Sequence, residues 1–271
     1  DGRDEWIDRV PVDHRSLPPE RVRELLRDAG VVGLGGAVFP SHAKLTAAKA
    51  VPVEHLVING AECEPFMTCD DVLMRERAEE IVRGSAIFRE LLAAREVLIG
   101  IEDNKPEAVA AMREAVERLG EDYEVVAVPT RYPAGGAKQL IRVLTGKEVP
   151  ASKRSTELGV QCFNVATAYT AYRALAHGEP VISRIVTLTG NVEHPRNWEV
   201  RLGTPMLDLV ALGKAVMLCT HCQHKFKPDV YDYERRDPAI GHRFANGACD
   251  GCGDGRAWPV PCEMYLPKRV K

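Results

Sequence analysis

The sequence contains no run of apolar residues approaching the roughly 18–20 that a helix needs to cross a bilayer, so hydropathy gives no membrane span. No signal-peptide pattern is visible, and the first residue is Asp1 rather than methionine; the expectation is a fragment or a processed form. Neither charge is in excess. The 36 Lys and Arg against 39 Asp and Glu leave a formal net charge of −3, which excludes the basic footprint of a nucleic-acid binder. No internal repeat or low-complexity tract appears, which sets repeat architectures aside. Two common phosphate signatures are missing as well. No Gly-Lys-Ser/Thr follows the glycine-rich stretch, so it is not a P-loop, and its third glycine falls too early for G-x-G-x-x-G.

What is present is Gly33-Leu34-Gly35-Gly36-Ala37-Val38-Phe39-Pro40, with Lys44 four residues on. Three glycines within four residues let a backbone turn tightly and approach a ligand. A helix start near Ser41 with a nearby ammonium makes a place for phosphate. The second unusual stretch is Asn59-Gly60-Ala61-Glu62-Cys63-Glu64-Pro65. Read alone, the first is equally a plain tight turn and Lys44 a surface lysine. Glu62 and Glu64 are equally ordinary helix-start carboxylates.

With 271 residues, 45% of them hydrophobic, the chain suits one large or two modest domains. Residues 1–20 form a polar linker or edge segment. A helix starts at Pro18-Pro19, carries Val22, Leu25, Leu26 and Ala29 on one face, and ends at Gly30. His55 to Ile58 is a buried strand that delivers Asn59, Glu62 and Glu64 at its C-terminal end, where ligands of open α/β sheets sit. One long charged helix is expected from about Leu73 to Ala93. A strand at Val97–Ile101, a helix at Lys105–Leu119 and a strand at Tyr123–Val128 follow. The loop Pro129–Gly136 brings Tyr132, Gly135 and Gly136 to the same rim. Lys138–Leu144 is a helix, residues 147–158 are polar and expected to be mobile, and Asn164–Ala176 is a small-residue helix. Strands alternating with helices make residues 21–180 an α/β domain, Rossmann-like, with a mostly parallel sheet. From Val181 the pattern turns β-branched, and residues 181–214 start a small β-rich domain that breaks off.

Eight cysteines are present, five of them after residue 218. Cys219-Thr220-His221-Cys222 and Cys249-Asp250-Gly251-Cys252 stand 26 residues apart. Two such knuckles supply four thiolates in a tetrahedron, as in zinc ribbons and rubredoxin. Residues 215–271 are therefore expected to be a Cys-rich tail holding one zinc or iron on Cys219, Cys222, Cys249 and Cys252, in a reducing compartment. Cys63, Cys69 and Cys162 read as small buried residues. His55 reads as structural, and Lys147, Lys153 and Arg154 as a solvated loop.

Five motifs occur together: Gly-Leu-Gly-Gly-Ala-x-Phe-Pro at 33–40, Asn-Gly-Ala-Glu-Cys-Glu-Pro at 59–65, Thr-Cys-Asp-Asp-x-Leu-Met-Arg-Glu at 68–76, Gly-Ile-Glu-Asp-Asn-Lys-Pro-Glu at 100–107 and Tyr-Pro-Ala-Gly-Gly-Ala-Lys-Gln-Leu at 132–140. Over about residues 1–212 the chain resembles the C subunit of the Rnf electron-transport complex, a family related to the flavin-bearing NADH-binding subunit of respiratory complex I. The resemblance implies noncovalent FMN, NAD(H) chemistry and a β-grasp-like segment after the flavin domain. It also implies a peripheral position on the cytoplasmic face of the cell membrane. Expected partners are the other subunits of the complex, including a ferredoxin-like or iron–sulfur subunit. By resemblance, Gly33, Gly35, Gly36 and Lys44 hold the flavin phosphate, and Asn59, Glu62 and Glu64 face the flavin ring and the nicotinamide. Tyr132, Gly135 and Gly136 wall the site, and Asn164 meets the ribityl or phosphate end.

The sequence departs from the family in places. Val38 stands where glycine is usual, Phe163 and Ala166 flank Asn164, and Lys153-Arg154 replaces Gly-Gly. The two ligand sets for 4Fe–4S clusters expected of the family are absent, so the chain is either truncated or discontinuous near Lys214, or carries another module there. The leading expectation is an NADH-linked flavoprotein oxidoreductase subunit of an ion-translocating ferredoxin:NAD complex. The alternatives are a flavin-free, metal-stabilised docking subunit and a related flavin-dependent reductase of the cobalamin type.

Overall fold

In the computed structural model the described residues are 9–46, 51–190, 192, 194–206, 208–209, 217–218 and 225–226. They fall into two units, divided between Ile182 and Ser183.

The first unit is built on four parallel strands: β1 (His55–Gly60), β2 (Glu96–Glu102), β3 (Glu124–Val128) and β4 (Val160–Asn164), in the order β3-β2-β1-β4. The central strands are apolar because both faces are covered. Leu56, Val57 and Ile58 of β1 and Ile99 and Ile101 of β2 are fully buried. The helices are α1 (Pro19–Asp28), α2 (Ser41–Thr46), α3 (Cys69–Glu76), α4 (Ala78–Leu92), α5 (Pro106–Leu119), α6 (Ala137–Thr145) and α7 (Val165–Ala176). One face of the sheet packs Val57, Val128, Val160 and Cys162 against Leu140 and Ile141 of α6. On the other face Phe163 of β4 stacks on Phe88 of α4, ring centroids 4.3 Å apart. Each such large side chain, fully buried, contributes about 1.5–3 kcal/mol. Because β4 returns to the far side of β1, the chain reverses its winding direction between those two strands, and the crevice beyond their carboxyl ends is where an open α/β sheet binds ligands.

The structure corrects the sequence reading in three places. The single helix expected over 73–93 is two, because Arg77 leaves the helical region (φ −132°, ψ 30°) and ends α3 with its N–H on the Leu73 carbonyl. Glu79 and Glu80 then open α4, where they favour the positive end of the helix. The second correction is β4, which was not expected. Its run is short, and Gln161 interrupts it; that residue is buried and donates to the Lys44 carbonyl at 2.7 Å. The 147–158 stretch is held in place rather than solvated throughout. Lys138 Nζ donates to the Pro150 carbonyl at 2.7 Å, Lys147 pairs with Glu54, and Ser155–Leu158 forms a 3-10 turn. The residues before α1 lie along α7, with the Val12 N–H on the Leu175 carbonyl at 2.7 Å.

The second unit holds an antiparallel pair, β5 (Ser183–Leu188) and β6 (Arg196–Arg201), in which Thr187 faces Asn197 with their side chains 2.7 Å apart. Met217–Leu218 and Lys225–Phe226 form a short antiparallel pair. The metal ligands expected in the tail, Cys219, Cys222, Cys249 and Cys252, lie outside the described residues. No helix among the described residues is long and apolar enough to cross a membrane.

Helices α4 and α7 cross in close contact. A Cβ on Gly84 would fall inside the van der Waals contact distance of the Ala168 carbonyl oxygen, so the two backbones touch there. Gly84→Ala is expected to destabilise the protein by about 1–3 kcal/mol, overpacking outweighing alanine's better helix propensity. Urea unfolding reads this as a lower midpoint at unchanged slope. An unchanged midpoint would mean that the crossing opens without cost.

Candidate functional site

The carboxyl ends of β1 and β4 carry one asparagine each, Asn59 and Asn164, and the strand register sets them side by side. Asn59 Nδ2 donates to the Gly135 carbonyl at 2.8 Å, and its Oδ1 accepts from the Ala61 N–H at 3.0 Å. Asn164 Oδ1 accepts from the Ala166 N–H at 2.9 Å, capping α7, and its Nδ2 donates to Asp70 at 2.6 Å. The glycine loop joins the same rim. The Leu34 N–H donates to Thr167 Oγ1 at 2.9 Å, and a Cβ on Gly35 would stand 3.2 Å from Asn164 Cβ. The loop is closed by the Gly33 N–H on the Phe39 carbonyl, 2.8 Å. Gly36 has φ +107° with open space where a Cβ would be. The third wall is the 129–136 loop. A Cβ on Gly135 would collide with the Ala61 carbonyl, and the Gly135 N–H donates to Cys63 Sγ at 3.3 Å. Gly136 opens α6, and Tyr132 stands out at 73% exposure. Asp103 holds the loop's start through Thr130 Oγ1 at 2.6 Å, and that bond keeps its carboxyl below the usual range.

The expected site residues differ in how they are disposed. Glu62 is buried. Its carboxylate accepts from Cys69 Sγ at 3.1 Å and from the Asp70 and Asp71 N–H groups at 3.0 and 3.3 Å, and it sits 3.7 Å from Lys105 Nζ. It is a helix-start carboxylate, bound to the first turn of α3. Glu64 is exposed two residues on, beside Phe66, which is 76% exposed at φ +68°. Lys44 turns inward. Its ammonium donates to the Cys162 carbonyl and lies 4.4 Å from the centroid of the Phe163 ring. Burial pushes this amine down from its ordinary value. No carboxylate partner is found for it among the described residues. Burial also pushes the Cys162 thiol up to about 11, which leaves it inert.

Sequence reasoning did not single out Thr167, Asp70, Lys105 or Glu102. Glu102 ends β2 at 1% exposure, and burial pushes its carboxyl up. A carboxylate closing an otherwise apolar strand was the available signal.

A family model described as the Nuo51 FMN-binding domain matches residues 26–173, more than half of the chain, and an SLBB domain model matches residues 185–213. Similar curated proteins are each named as the C subunit of an ion-translocating oxidoreductase complex. The one from Pasteurella multocida (strain Pm70) is 52% identical over 212 residues, covering 78% of this chain and 25% of the relative. That from Haemophilus influenzae (strain PittEE) is 50% identical over 213 residues, covering 78% and 32%. That from Pseudomonas aeruginosa is 49% identical over 216 residues, covering 79% and 28%. The chain thus spans about a quarter to a third of the length of these relatives. An NAD+-reducing NiFe-hydrogenase, solved in its air-oxidized state, aligns with TM-score 0.63 at 22% identity over 74% of this chain and 41% of that one. The H2-reduced form gives 0.65 at 20% identity over 78% and 42%. This likeness is one of fold.

Val38 occupies the left-handed region at φ +50° with its side chain 58% exposed, an unfavourable conformation for a β-branched residue. Val38→Gly is expected to stabilise the protein by up to about 1.6 kcal/mol, relief of about 1–2 kcal/mol of strain less about 0.4–1 kcal/mol of added unfolded-state entropy. A raised urea midpoint checks this. A lowered one would mean that the valine side chain contributes packing that outweighs the strain.

Proposed function

The chain belongs to the Nuo51 FMN-binding domain family, and from that premise we propose that its first unit is an FMN- and NAD(H)-binding electron-transfer module of an ion-translocating oxidoreductase complex. The observation that carries the reading is the convergence of the glycine loop, Asn59, Asn164 and the Gly135 loop on the carboxyl ends of β1 and β4. The residues present fit a flavin mononucleotide. Gly135 leaves no room for a side chain against the Ala61 carbonyl and Gly35 little against Asn164, so the backbone itself lines the crevice there, and no carboxylate among the described residues pairs with the Lys44 ammonium. A dianionic phosphate wants fixed N–H donors and such a cation.

The glycine loop, closed by the Gly33 N–H on Phe39, would donate the backbone N–H groups of Gly35 and Gly36 to the phosphate, with Lys44 adding charge. Asn59 and Asn164 hold the floor of the crevice, and Tyr132 supplies an apolar wall. Glu64, exposed and flanked by Phe66, would accept hydrogen bonds from uncharged donors of the nicotinamide nucleotide, its carboxamide or a ribose hydroxyl. Glu62 serves this indirectly, by fixing the start of α3 beside it. When bound, FMN supplies the capacity to take two electrons as a hydride and release them singly. The resulting electrons would pass to iron–sulfur partners of a complex on the cytoplasmic face of the membrane, where this chain is peripheral. One zinc or iron on Cys219, Cys222, Cys249 and Cys252 belongs to the same proposal.

A flavin-free docking subunit is the second reading, and the strained, exposed Val38 in the middle of the glycine loop is the observation that favours it. Loading separates the two. The flavin reading expects the full chain to take up FMN that acid precipitation releases. Lys44→Met, which keeps the buried stem, should weaken FMN about ten- to a hundred-fold, the worth of a charge-assisted hydrogen bond of roughly 1.5–3 kcal/mol. A folded protein that takes up no FMN would leave the docking reading standing. Glu64→Gln should retain FMN and raise the NADH concentration that half-saturates flavin reduction by a similar factor, about ten- to a hundred-fold. Stopped-flow reduction by NADH, with dithionite as the control, checks it. Loss of FMN itself in this variant would move Glu64 from the nucleotide to the flavin.

A further inference from the structure

The buried carboxyl group of the rim without a full set of partners is Glu102. It is 1% exposed, and its Oε1 has no hydrogen-bond partner among the described residues. The charged and titratable groups around it come from two segments. The turn after β2 carries Asp103 and Lys105, and the loop after β1 carries Glu62, Cys63 and Glu64. Lys105 is the single cation in the set, and it is shared, standing 3.7 Å from Glu62. Glu62 also has the Asp70 and Asp71 N–H groups and the Cys69 thiol, whereas Asp103 is satisfied by Thr130. Glu102 therefore sits in an acidic neighbourhood with one carboxyl oxygen unpartnered among the described residues and a cation it shares with Glu62. An ionised carboxylate in such a place is costly, and a proton removes the cost. Burial pushes the Glu102 carboxyl up, Lys105 opposes this in part, and Glu62, Asp103 and Glu64 push it further up.

We propose that Glu102 is a proton-holding residue of the rim site, carried as a neutral acid in the free protein through the ordinary glutamate range and, at the higher pH where part of it has ionised, taking that proton back when an anionic nucleotide enters. The second half rests on the flavin and nucleotide reading above; the first does not. A neutral carboxylic acid both donates and accepts, so it tolerates a ligand group of either kind, whereas the carboxylate only accepts. An incoming phosphate or pyrophosphate adds negative potential and tightens the hold on the proton. By linkage, affinity then falls as pH rises through the free-state value, by up to about tenfold per pH unit for one proton. The stability sign is the same. A carboxyl whose folded-state value is raised contributes stability fully present below its unfolded value and lost as pH rises through the folded one.

The test uses the full chain without cofactor, wild type and Glu102→Gln, melted from the ordinary glutamate range to mildly alkaline pH. The two curves are expected to meet at the acid end, with wild type falling below the variant by about 2–4 °C at the alkaline end. Curves that stay parallel would overturn the proposal. Should the variant fail to fold, infrared spectroscopy of the wild type decides. A protonated-carboxyl band persisting above the ordinary glutamate range supports the proposal, and its loss within that range overturns it. The ligand half is read by calorimetry of FMN binding, at the pH where the wild-type melting curve bends, in two buffers of different ionisation heat. Wild type should take up protons on binding and Glu102→Gln markedly fewer; equal uptake sinks the coupling. If neither protein binds FMN, the flavin reading and the coupling fail together, while the melting curves still decide whether Glu102 holds a proton.

Discussion

Everything at the rim depends on the pairing of β1 with β4. Asn59 and Asn164 meet at the end of that pairing, and their amides bond the backbones of the Gly135 loop, the β1–α3 loop and the first turn of α7, and the Asp70 side chain. A register slip of one residue would turn both side chains to the opposite faces of the sheet and release these segments. The apolar core beneath makes such a slip costly, because Val57 with Cys162 packs toward α6 while Phe163 packs toward Phe88. The core thus fixes the register, and the register places the amides.

Charge is handled unevenly around that seam. Glu62 is buried with a helix start, a thiol and an ammonium around it, the kind of setting in which a buried ion is tolerated. Lys44 is half-buried and, among the described residues, meets a carbonyl and an aromatic ring rather than a carboxylate. Among the described residues, a cation without a carboxylate partner thus lies by β4 on one side, and acidic groups sharing one ammonium lie on the other. An arrangement of this kind suits a ligand that is anionic at one end and carries neutral hydrogen-bond donors at the other.

The strongly apolar parts of this architecture were legible in the sequence. β1, β2 and β3 are apolar runs with clear bounds, and α1, α5 and α7 carry their stripe and stop signals. β4 was not legible, because Gln161 and Cys162 look unlike a buried strand until Lys44 provides the carbonyl that Gln161 needs. The break at Arg77 was invisible because the apolar spacing continues across it and no glycine or proline marks it. At the site, residue types were legible and directions were not. Glycines and asparagines stood out, whereas sequence alone could not tell that Lys44 turns inward, or choose between the two readings of Glu62. Glu102, though part of the 100–107 motif, was given no role, because burial, which gives it its chemistry, arises only when β2 is flanked by β1 and β3. The tail cysteines lie outside the described residues.

The walls of the crevice are fastened to the strand ends largely through backbone groups: the Gly135 carbonyl and N–H, the Leu34 N–H, the Ala61 N–H and the Ala166 N–H. Their exposed side chains, Val38, Phe39, Phe66 and Tyr132, take no part in that fastening. Side-chain changes at those four positions therefore leave these bonds in place, although at Val38 and Phe66 they also alter backbone strain. What the mouth of the crevice prefers can thus change wall by wall without disturbing the seam below.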